Sequence, residues 1–246
     1  MVTSVSSATL AACGVVPAPP SNEAVGSPPS VVTSHGPTPV PAATSTRTPE
    51  RLVLGFTRTE QAALRVRNVT CQIGLSTGTG VAIGPNLLVT NRHVVEGAKE
   101  LQLERFDGRK VVAAAAAVIY FADLAILQTE DVLPVVSPLA SRDPPVGTRV
   151  TVVGYPYGGP MVTTSGSVLG YQVDPMVGGT RVMVNDASIR PGSSGSAVYD
   201  ESDAVVGIAY AGSVPDGPYL AVPVSALLAI ARDPSKLRPL GTCRPG

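Results

Sequence analysis

The segment RPGSSGSAVY, at residues 190–199, places a pair of serines between glycines and then runs directly into an apolar strand. Gly192 has no side chain and lets the backbone approach a bound molecule closely, and Gly195 permits a tight turn into the strand. Ser194 is therefore a candidate nucleophile on a turn whose backbone N–H groups can face a developing negative charge. A hairpin turn that is merely rich in Ser and Gly is the alternative interpretation.

The same segment argues against an α/β-hydrolase. The nucleophile elbow of that fold is G-x-S-x-G followed by a helix, whereas the fifth residue here is Ser196 and a strand follows it. The segment therefore favours a β-rich fold with Ser194 on a loop between strands.

A candidate general base lies upstream, where an apolar strand ends in the polar turn TNRH at residues 90–93. His93 is the only histidine of the folded part, because His35 lies in a proline-rich N-terminal stretch. Any general base of the histidine type must therefore be His93, and a structural role for this single histidine is the alternative.

Asp123 is the candidate partner of His93. It opens the apolar strand Leu124–Gln128, where burial of a carboxylate is costly unless a donor such as a histidine N–H pairs with it. A turn-capping role for Asp123 is the alternative. Asp107 competes with it, but Asp107-Gly108 is typical of a hairpin turn, which accounts for that residue. The resulting chain order of His, Asp and Ser is that of the chymotrypsin arrangement.

Short β-like runs separated by turn residues dominate the rest of the chain. Six precede a proline-rich bridge at Leu133–Pro145 and six follow it, which suggests two barrels side by side. The alanines 113–117 favour a helix by propensity, but the β-branched residues on both sides indicate a strand. Helices are predicted at Thr59–Val66, with Thr59 as the cap, and at Pro223–Arg232. The predicted fold class is all-β: two six-stranded antiparallel β-barrels of the chymotrypsin type, with a short N-terminal and a C-terminal helix.

The N-terminal residues lie outside this pattern. The run Leu10-Ala11-Ala12-Cys13 resembles a bacterial lipobox and predicts a signal segment whose Cys13 carries a lipid, with a chance LAAC in an alanine-rich tail as the alternative. The stretch that follows is rich in Pro, Ser and Thr and poor in large hydrophobes, so we expect a disordered tether. The predicted boundaries are 1–13 for the signal segment, 14–54 for the tether, 55–246 for the folded domain, and about 66–132 and 146–222 for its two barrels.

The composition limits the classes of partner and cofactor that we expect for the chain. Lys and Arg together number 18 and so do Asp and Glu, so no basic field indicates a nucleic acid or an anionic membrane surface as partner. Three cysteines and two histidines without a C-x-x-C pair argue against a metal site, and no cofactor is expected. Aromatic residues make up only 4% of the chain, so aliphatic side chains must fill the core.

The chain resembles the HtrA/Deg branch of the trypsin-like proteases in four stretches: Gly78–Ile83, Leu88–Val95, Asp123–Leu127 and Arg190–Ala197. This resemblance implies a serine endopeptidase of the chymotrypsin fold. It also implies His93 as general base, Asp123 as its orienting partner and Ser194 as nucleophile.

A further resemblance, to the acid-resistance serine proteases of actinobacteria (the MarP type), is carried by Cys71-Gln72, Arg190-Pro191-Gly192 and Cys243. It implies a disulfide between Cys71 and Cys243, and an oxyanion hole formed by the N–H groups of Gly192 and Ser194. Lipidation of Cys13 would leave an even number of cysteines, which suits a bridge in an exported chain. Two unrelated thiols are the alternative.

Two residues depart from the family pattern. Ser193 stands where the family usually has Asn or Asp, and Ser196 stands where a second glycine normally follows the nucleophile. Ser196 therefore adds a side chain that the turn has to accommodate.

The resemblance also implies a primary specificity pocket lined by Ser188, Ile189, Tyr210, Ala211 and Gly212. Ser188 occupies the position of the acid in tryptic enzymes, so we expect a preference for a neutral, small-to-medium P1 side chain. Asp186 nearby keeps a basic P1 residue as the alternative.

These observations together predict an exported serine endopeptidase, tethered to a membrane only through the lipid on Cys13, that cleaves proteins or peptides through an acyl-enzyme. The alternative hypothesis is a catalytically inactive trypsin-like domain that acts as a binding module at the cell surface. Ser193 and Ser196 are the residues that keep this alternative open.

Overall fold

The computed structural model describes residues 55–71, 74–174, 179–212 and 218–241. The predicted lipidation site Cys13, the predicted tether and Cys243 lie outside the described residues.

The first barrel consists of six antiparallel strands in the order β5-β4-β1-β2-β3-β6, and pairing between β5 and β6 closes it. A short seventh strand, β13, is added to β5. The alanine run lies within β5, so its prediction as a strand is confirmed. The strands are β1 Ala63–Thr70, β2 Gly74–Gly84, β3 Leu87–Asn91, β4 Ala98–Arg105, β5 Lys110–Ile119, β6 Leu124–Thr129 and β13 Arg238–Pro239.

The second barrel is also closed and antiparallel, with its six strands in the order β10-β11-β12-β9-β8-β7. Its strands are β7 Arg149–Gly154, β8 Val162–Val173, β9 Arg181–Asn185, β10 Ala197–Tyr199, β11 Val205–Gly212 and β12 Tyr219–Pro223. The two barrels confirm the predicted all-β fold class.

Helices are few and short within the described residues. The α-helices are α1 Arg58–Ala62, α2 Arg92–Val95 and α3 Val224–Arg232, and 3₁₀ turns occur at Tyr120–Ala122, Pro156–Gly158 and Pro234–Lys236. None of these helices has both the length and the apolar character that a membrane span requires.

The N-terminal helix is shorter than predicted and begins earlier. Thr57, not Thr59, is the N-cap: its hydroxyl accepts the Glu60 N–H at 3.2 Å, and the Glu60 carboxylate accepts the Thr57 N–H at 2.8 Å. The helix ends at Ala62, because the next residue already begins strand β1. The pairing of β1 with two neighbouring strands outweighs the helix propensity of the residues that were predicted to extend the helix.

Buried aliphatic side chains fill each barrel, and a third group of buried residues joins the two barrels. Members of the joining group from the first barrel include Val89, Ile119 and Leu124, and members from the second include Tyr199 and Ile208. Because the candidate site residues come from both barrels, this shared core fixes their relative positions.

Candidate active site

His93 and Asp123 meet because the strands next to them are paired. His93 lies in α2, directly after β3, and Asp123 directly precedes β6. In the antiparallel pairing of β3 with β6, Asn91 lies opposite Leu124, which brings the two adjoining turns together. His93 and Asp123 are 30 residues apart along the chain, yet they lie in contact at this edge of the barrel.

The Asp123 carboxylate holds the His93 ring in one orientation. Its Oδ2 lies 2.6 Å from His93 Nδ1, and its Oδ1 accepts the His93 backbone N–H at 3.1 Å. The side chain of Asp123 is 7% exposed, whereas that of His93 is 44% exposed. A carboxylate at Nδ1 places the proton on that nitrogen, so Nε2 is the ring atom left to accept a proton from another group.

Neighbouring side chains fix Asp123 itself. Its backbone is left-handed, with φ 46° and ψ 43°. Its carbonyl oxygen accepts hydrogen bonds from Asn91 Nδ2 at 3.0 Å and from the Arg92 N–H at 3.1 Å. The Arg92 guanidinium lies 3.7 Å from Asp123 Oδ1 and stacks over the Tyr120 ring. Sequence reasoning missed Asn91 and Arg92, although both lie within the TNRH turn that was singled out.

The nucleophile turn, residues 190–196, is closed by hydrogen bonds of its own backbone. The Ser193 N–H donates to Arg190 O at 2.8 Å, and the Ser196 N–H donates to Ser193 O at 3.0 Å. Gly192 and Gly195 have φ values of +90° and +89°, which L-residues with side chains rarely adopt. The two glycines singled out in the sequence are therefore required by the backbone of this turn.

The hydroxyl of Ser194 is partly exposed and donates to Tyr210 O at 3.2 Å. It forms no hydrogen bond to His93 within the described part of the chain. Catalytic hydrogen bonds are often long or poorly aligned before substrate binds. A rotation about the Cα–Cβ bond of Ser194 would turn its hydroxyl away from Tyr210 O.

The N–H groups of Gly192 and Ser194 have no acceptor among the described residues. The other backbone groups around them are bonded: Pro191 O accepts the Tyr157 N–H at 2.6 Å, and the Gly195 N–H donates to Ala209 O at 2.7 Å. Two unpaired N–H groups beside a serine hydroxyl can bind an anionic oxygen.

The unusual Ser196 is accommodated by a glycine on the neighbouring strand. Ser196 is fully buried, and a Cβ placed on Gly154 would lie 1.9 Å from its hydroxyl oxygen. That hydroxyl has no hydrogen-bond partner within the described residues. The turn therefore keeps its shape with serine at this position and carries a buried, unsatisfied hydroxyl. Ser193, the other departure, is also buried.

Comparison with known proteins shows the family of the chain. The family model described as a trypsin-like peptidase domain matches residues 78–208, which is more than half of the chain. The chain belongs to the trypsin-like peptidase family.

Relatives of this trypsin-like peptidase include bacterial proteases. A probable periplasmic serine endoprotease, DegP-like, from Hahella chejuensis is 34% identical over 137 residues, which cover 54% of this chain and 29% of the relative. The glutamyl endopeptidase of Staphylococcus epidermidis is 30% identical over 164 residues, covering 56% of this chain and 55% of the relative. The chain spans about a third or less of the length of the Do-like and DegP-like relatives that it matches.

Solved structures share the fold of this trypsin-like peptidase. The active form of the Rv3671c protease from M. tuberculosis superposes with a TM-score of 0.65, and the match covers 88% of this chain and 97% of that one. The two sequences are 22% identical, so this likeness shows the fold alone.

The five predicted pocket residues of this trypsin-like peptidase have different surroundings. Ile189 packs into the core of the second barrel and is 6% exposed, and its place in the pocket stays a prediction. Ser188 is partly exposed, and its carbonyl accepts the Thr164 hydroxyl at 3.0 Å. Tyr210 is buried, while Ala211 and Gly212 complete strand β11.

Asp186 and Tyr210 are two ionisable residues in or next to the predicted pocket. The Asp186 Oδ1 accepts the Ser167 N–H at 2.6 Å, which directs this carboxylate to the backbone of β8. Burial, followed by the nearby Asp174 carboxylate, raises the pKa of the Tyr210 phenol, which therefore stays protonated. Within the described ranges, no three His, Cys, Asp or Glu side chains lie close enough to hold a metal ion.

Cys71 follows directly after β1, and its N–H donates to Gly97 O at 3.0 Å. Because Cys243 lies outside the described residues, the Cys71–Cys243 pairing stays a prediction.

Proposed function

We propose that the chain is a serine endopeptidase that acts outside the cytoplasm, with Ser194, His93 and Asp123 as its catalytic triad. The observations that carry this proposal are the 2.6 Å contact between His93 Nδ1 and Asp123 Oδ2, and a serine turn with two N–H groups that have no acceptor among the described residues. Membership of the trypsin-like peptidase family supports the same reaction class.

In the proposed mechanism, Ser194 Oγ turns from Tyr210 O towards His93 and attacks the carbonyl carbon of a peptide bond. His93 Nε2 takes the hydroxyl proton, and the N–H groups of Gly192 and Ser194 hold the oxyanion. The intermediate collapses when the C–N bond breaks and His93 returns the proton to the leaving amine. Water, deprotonated by His93, then hydrolyses the acyl-enzyme and regenerates the Ser194 hydroxyl.

The proposed substrate has a neutral P1 side chain of small to medium size. Two observations support this preference: Ser188 carries no charge, and the Asp186 carboxylate is held by the Ser167 N–H. Cleavage of a peptide library would test it, and a strong preference for Lys or Arg at P1 would contradict it.

An extracytoplasmic location is proposed because a relative is named as a periplasmic protease. Lipidation of Cys13 followed by the proline-rich stretch would tether the domain to a membrane. Expression of the full chain and of Cys13→Ala in a bacterial host tests the tether, since only the variant should leave the membrane fraction. Equal distribution of the two proteins would contradict lipidation.

A disulfide between Cys71 and Cys243 is proposed on the resemblance to the acid-resistance proteases. Such a bridge closes a long loop and is worth about 4–5 kcal/mol in the chain-entropy model. Alkylation with and without prior reduction, followed by peptide mass spectrometry, tests the pairing. Alkylation of both cysteines without reduction would contradict it.

A fluorophosphonate probe tests the proposed activity directly, because it labels only an activated serine. We expect labelling of the wild type and none of Ser194→Ala, with folding of both proteins checked by circular dichroism. A wild type that stays unlabelled, both oxidised and reduced, would instead favour the inactive binding module.

A further inference from the structure

Thr79 lies in β2 of the first barrel and is completely buried, yet it contacts the nucleophile turn of the second barrel. Its hydroxyl lies 3.0 Å from Gly192 O, and its backbone N–H donates to Ser194 O at 2.8 Å. A carbonyl shares its peptide plane with the N–H of the following residue, so these contacts fix the Gly192–Ser193 and Ser194–Gly195 planes. These planes adjoin the ones that carry the Gly192 and Ser194 N–H groups proposed to form the oxyanion hole. One residue of the first barrel therefore holds a peptide plane next to each of these two N–H groups.

The direction of the Thr79 hydroxyl proton follows from its partners. The Tyr155 N–H lies 2.9 Å from Thr79 Oγ1 and can only donate, whereas Gly192 O can only accept. The hydroxyl therefore accepts from Tyr155 and donates to Gly192 O. The Thr79 carbonyl in turn accepts the Thr90 hydroxyl at 2.6 Å, which fixes the strand that carries it.

The contacts of Thr79 complete the set that orients the turn. Pro191 O and Ser193 O accept backbone N–H groups, as described above, and the Gly192 and Ser194 carbonyls are bonded to Thr79. Fixing these carbonyls leaves the peptide planes of the turn little room to rotate. The Gly192 and Ser194 N–H groups lie in the same planes as Pro191 O and Ser193 O, and the Thr79 contacts hold the planes that adjoin these. Both N–H groups are consequently held in one direction.

We propose that Thr79 is a positioning residue that holds the Gly192 and Ser194 N–H groups in the direction needed to bind the oxyanion. The inference rests on the proposed serine endopeptidase function and assigns a part of the site to the first barrel. Thr79 touches neither substrate nor reacting atoms and acts through the turn alone. Its loss should therefore weaken transition-state stabilisation and leave substrate binding in place.

The test compares Thr79→Val, which keeps the shape of the side chain but lacks the hydroxyl, with Thr79→Ser, which keeps the hydroxyl. We expect kcat for a peptide substrate to fall about 10²- to 10³-fold in Thr79→Val, the range seen when one oxyanion donor is lost. KM should stay close to the wild-type value, and Thr79→Ser should restore most of kcat.

Thr129→Val is the matched control. Thr129 is also a buried threonine of the first barrel, 3% exposed, and its hydroxyl donates to Asp131 O at 2.8 Å. This variant should lose a comparable amount of thermal stability while its kcat stays unchanged. All measurements are made well below the melting temperature of each variant, so that a purely structural role for Thr79 would leave kcat unaffected.

Two results would overturn the role of Thr79: equal kcat in the Val and Ser variants, or an equal loss of kcat in Thr129→Val. If Thr79→Val fails to fold by circular dichroism, Thr79→Ala replaces it with the same expected drop in kcat. Fluorophosphonate labelling of the wild type is measured first. An unlabelled wild type would contradict the proposed function, whereas a labelled wild type with a fully active Thr79→Val would contradict only the role of Thr79.

Discussion

The first barrel holds its two candidate catalytic residues by direct side-chain contacts, whereas the second barrel holds its candidate nucleophile by the shape of a backbone turn. Asp123 bonds both the ring and the backbone of His93 before any substrate is present. Ser194 instead faces Tyr210 O, and its turn depends on two glycines with positive φ. The candidate base is thus held by a hydrogen-bonding side chain, and the candidate oxyanion site by glycine geometry and by support from the other barrel.

The largest effect is expected when a substitution removes the candidate base of the first barrel. His93→Ala should lower kcat by about 10⁶-fold, because Ser194 then has no group to take its proton. Peptide hydrolysis and fluorophosphonate labelling measure this loss. A variant that is still labelled at the wild-type rate would show that another group activates Ser194.

A smaller loss is expected when the partner of the base is changed without loss of volume. Asp123→Asn should lower kcat by about 10⁴-fold, since an amide at His93 Nδ1 favours the wrong ring tautomer. Asp131→Asn is the control, because Asp131 is a carboxylate of the same barrel that bonds the Val112 N–H instead. Equal activity of the two variants would refute the orienting role of Asp123.

The glycine geometry of the second barrel is tested by Gly192→Ala. An added Cβ would lie 2.4 Å from Tyr157 N and 2.8 Å from Tyr155 O, so the turn must move. We expect kcat to fall about 10²- to 10³-fold as the oxyanion donors shift. Gly170→Ala, in the same barrel with no atom of the described residues within 4 Å of the added Cβ, should retain full kcat. A fully active Gly192→Ala would show that the turn tolerates this displacement.

The smallest effect concerns stability and not activity. Ser196→Ala removes a buried hydroxyl that has no partner among the described residues, and should raise the free energy of unfolding by about 1 kcal/mol. Ser137→Ala should lower it by a similar amount, because the Ser137 hydroxyl lies 2.9 Å from Tyr199 Oη. Urea unfolding measures both values. If Ser196→Ala is as destabilising as Ser137→Ala, the Ser196 hydroxyl has a structural role after all.

Local sequence patterns predicted the strands, the two-barrel fold class and the three candidate catalytic residues. His93 and Asp123 could be found because each stands out against an apolar strand, and Ser194 because glycines flank it. Each of these patterns spans only a few neighbouring residues of the chain. The structure brings His93 and Asp123 together, while the catalytic role of all three residues remains to be tested by the variants above.

Contacts between distant segments could not be predicted in this way. Nothing in the neighbourhood of Thr79 shows that its hydroxyl bonds Gly192 O, because that contact depends on how two barrels are packed. The early end of α1 has a similar cause, since strand pairing competes with helix propensity. Ile189 is buried because its side chain faces the core of the second barrel. The alternation of apolar and polar residues along its segment does not show which side chains face that core.

The short strand β13 has a consequence for synthesis of the protein. It pairs with Val118 and Ala117 of β5, and the Leu240 N–H then donates to Ala116 O, so this edge of the first barrel is covered by residues that follow α3. About 110 residues separate the end of β6 from β13. At a translation rate of about 5–20 residues per second, the first barrel would leave the ribosome with that edge uncovered for roughly 5 to 20 s. During this interval the exposed edge of β5 is the place where a nascent chain could pair wrongly with another strand.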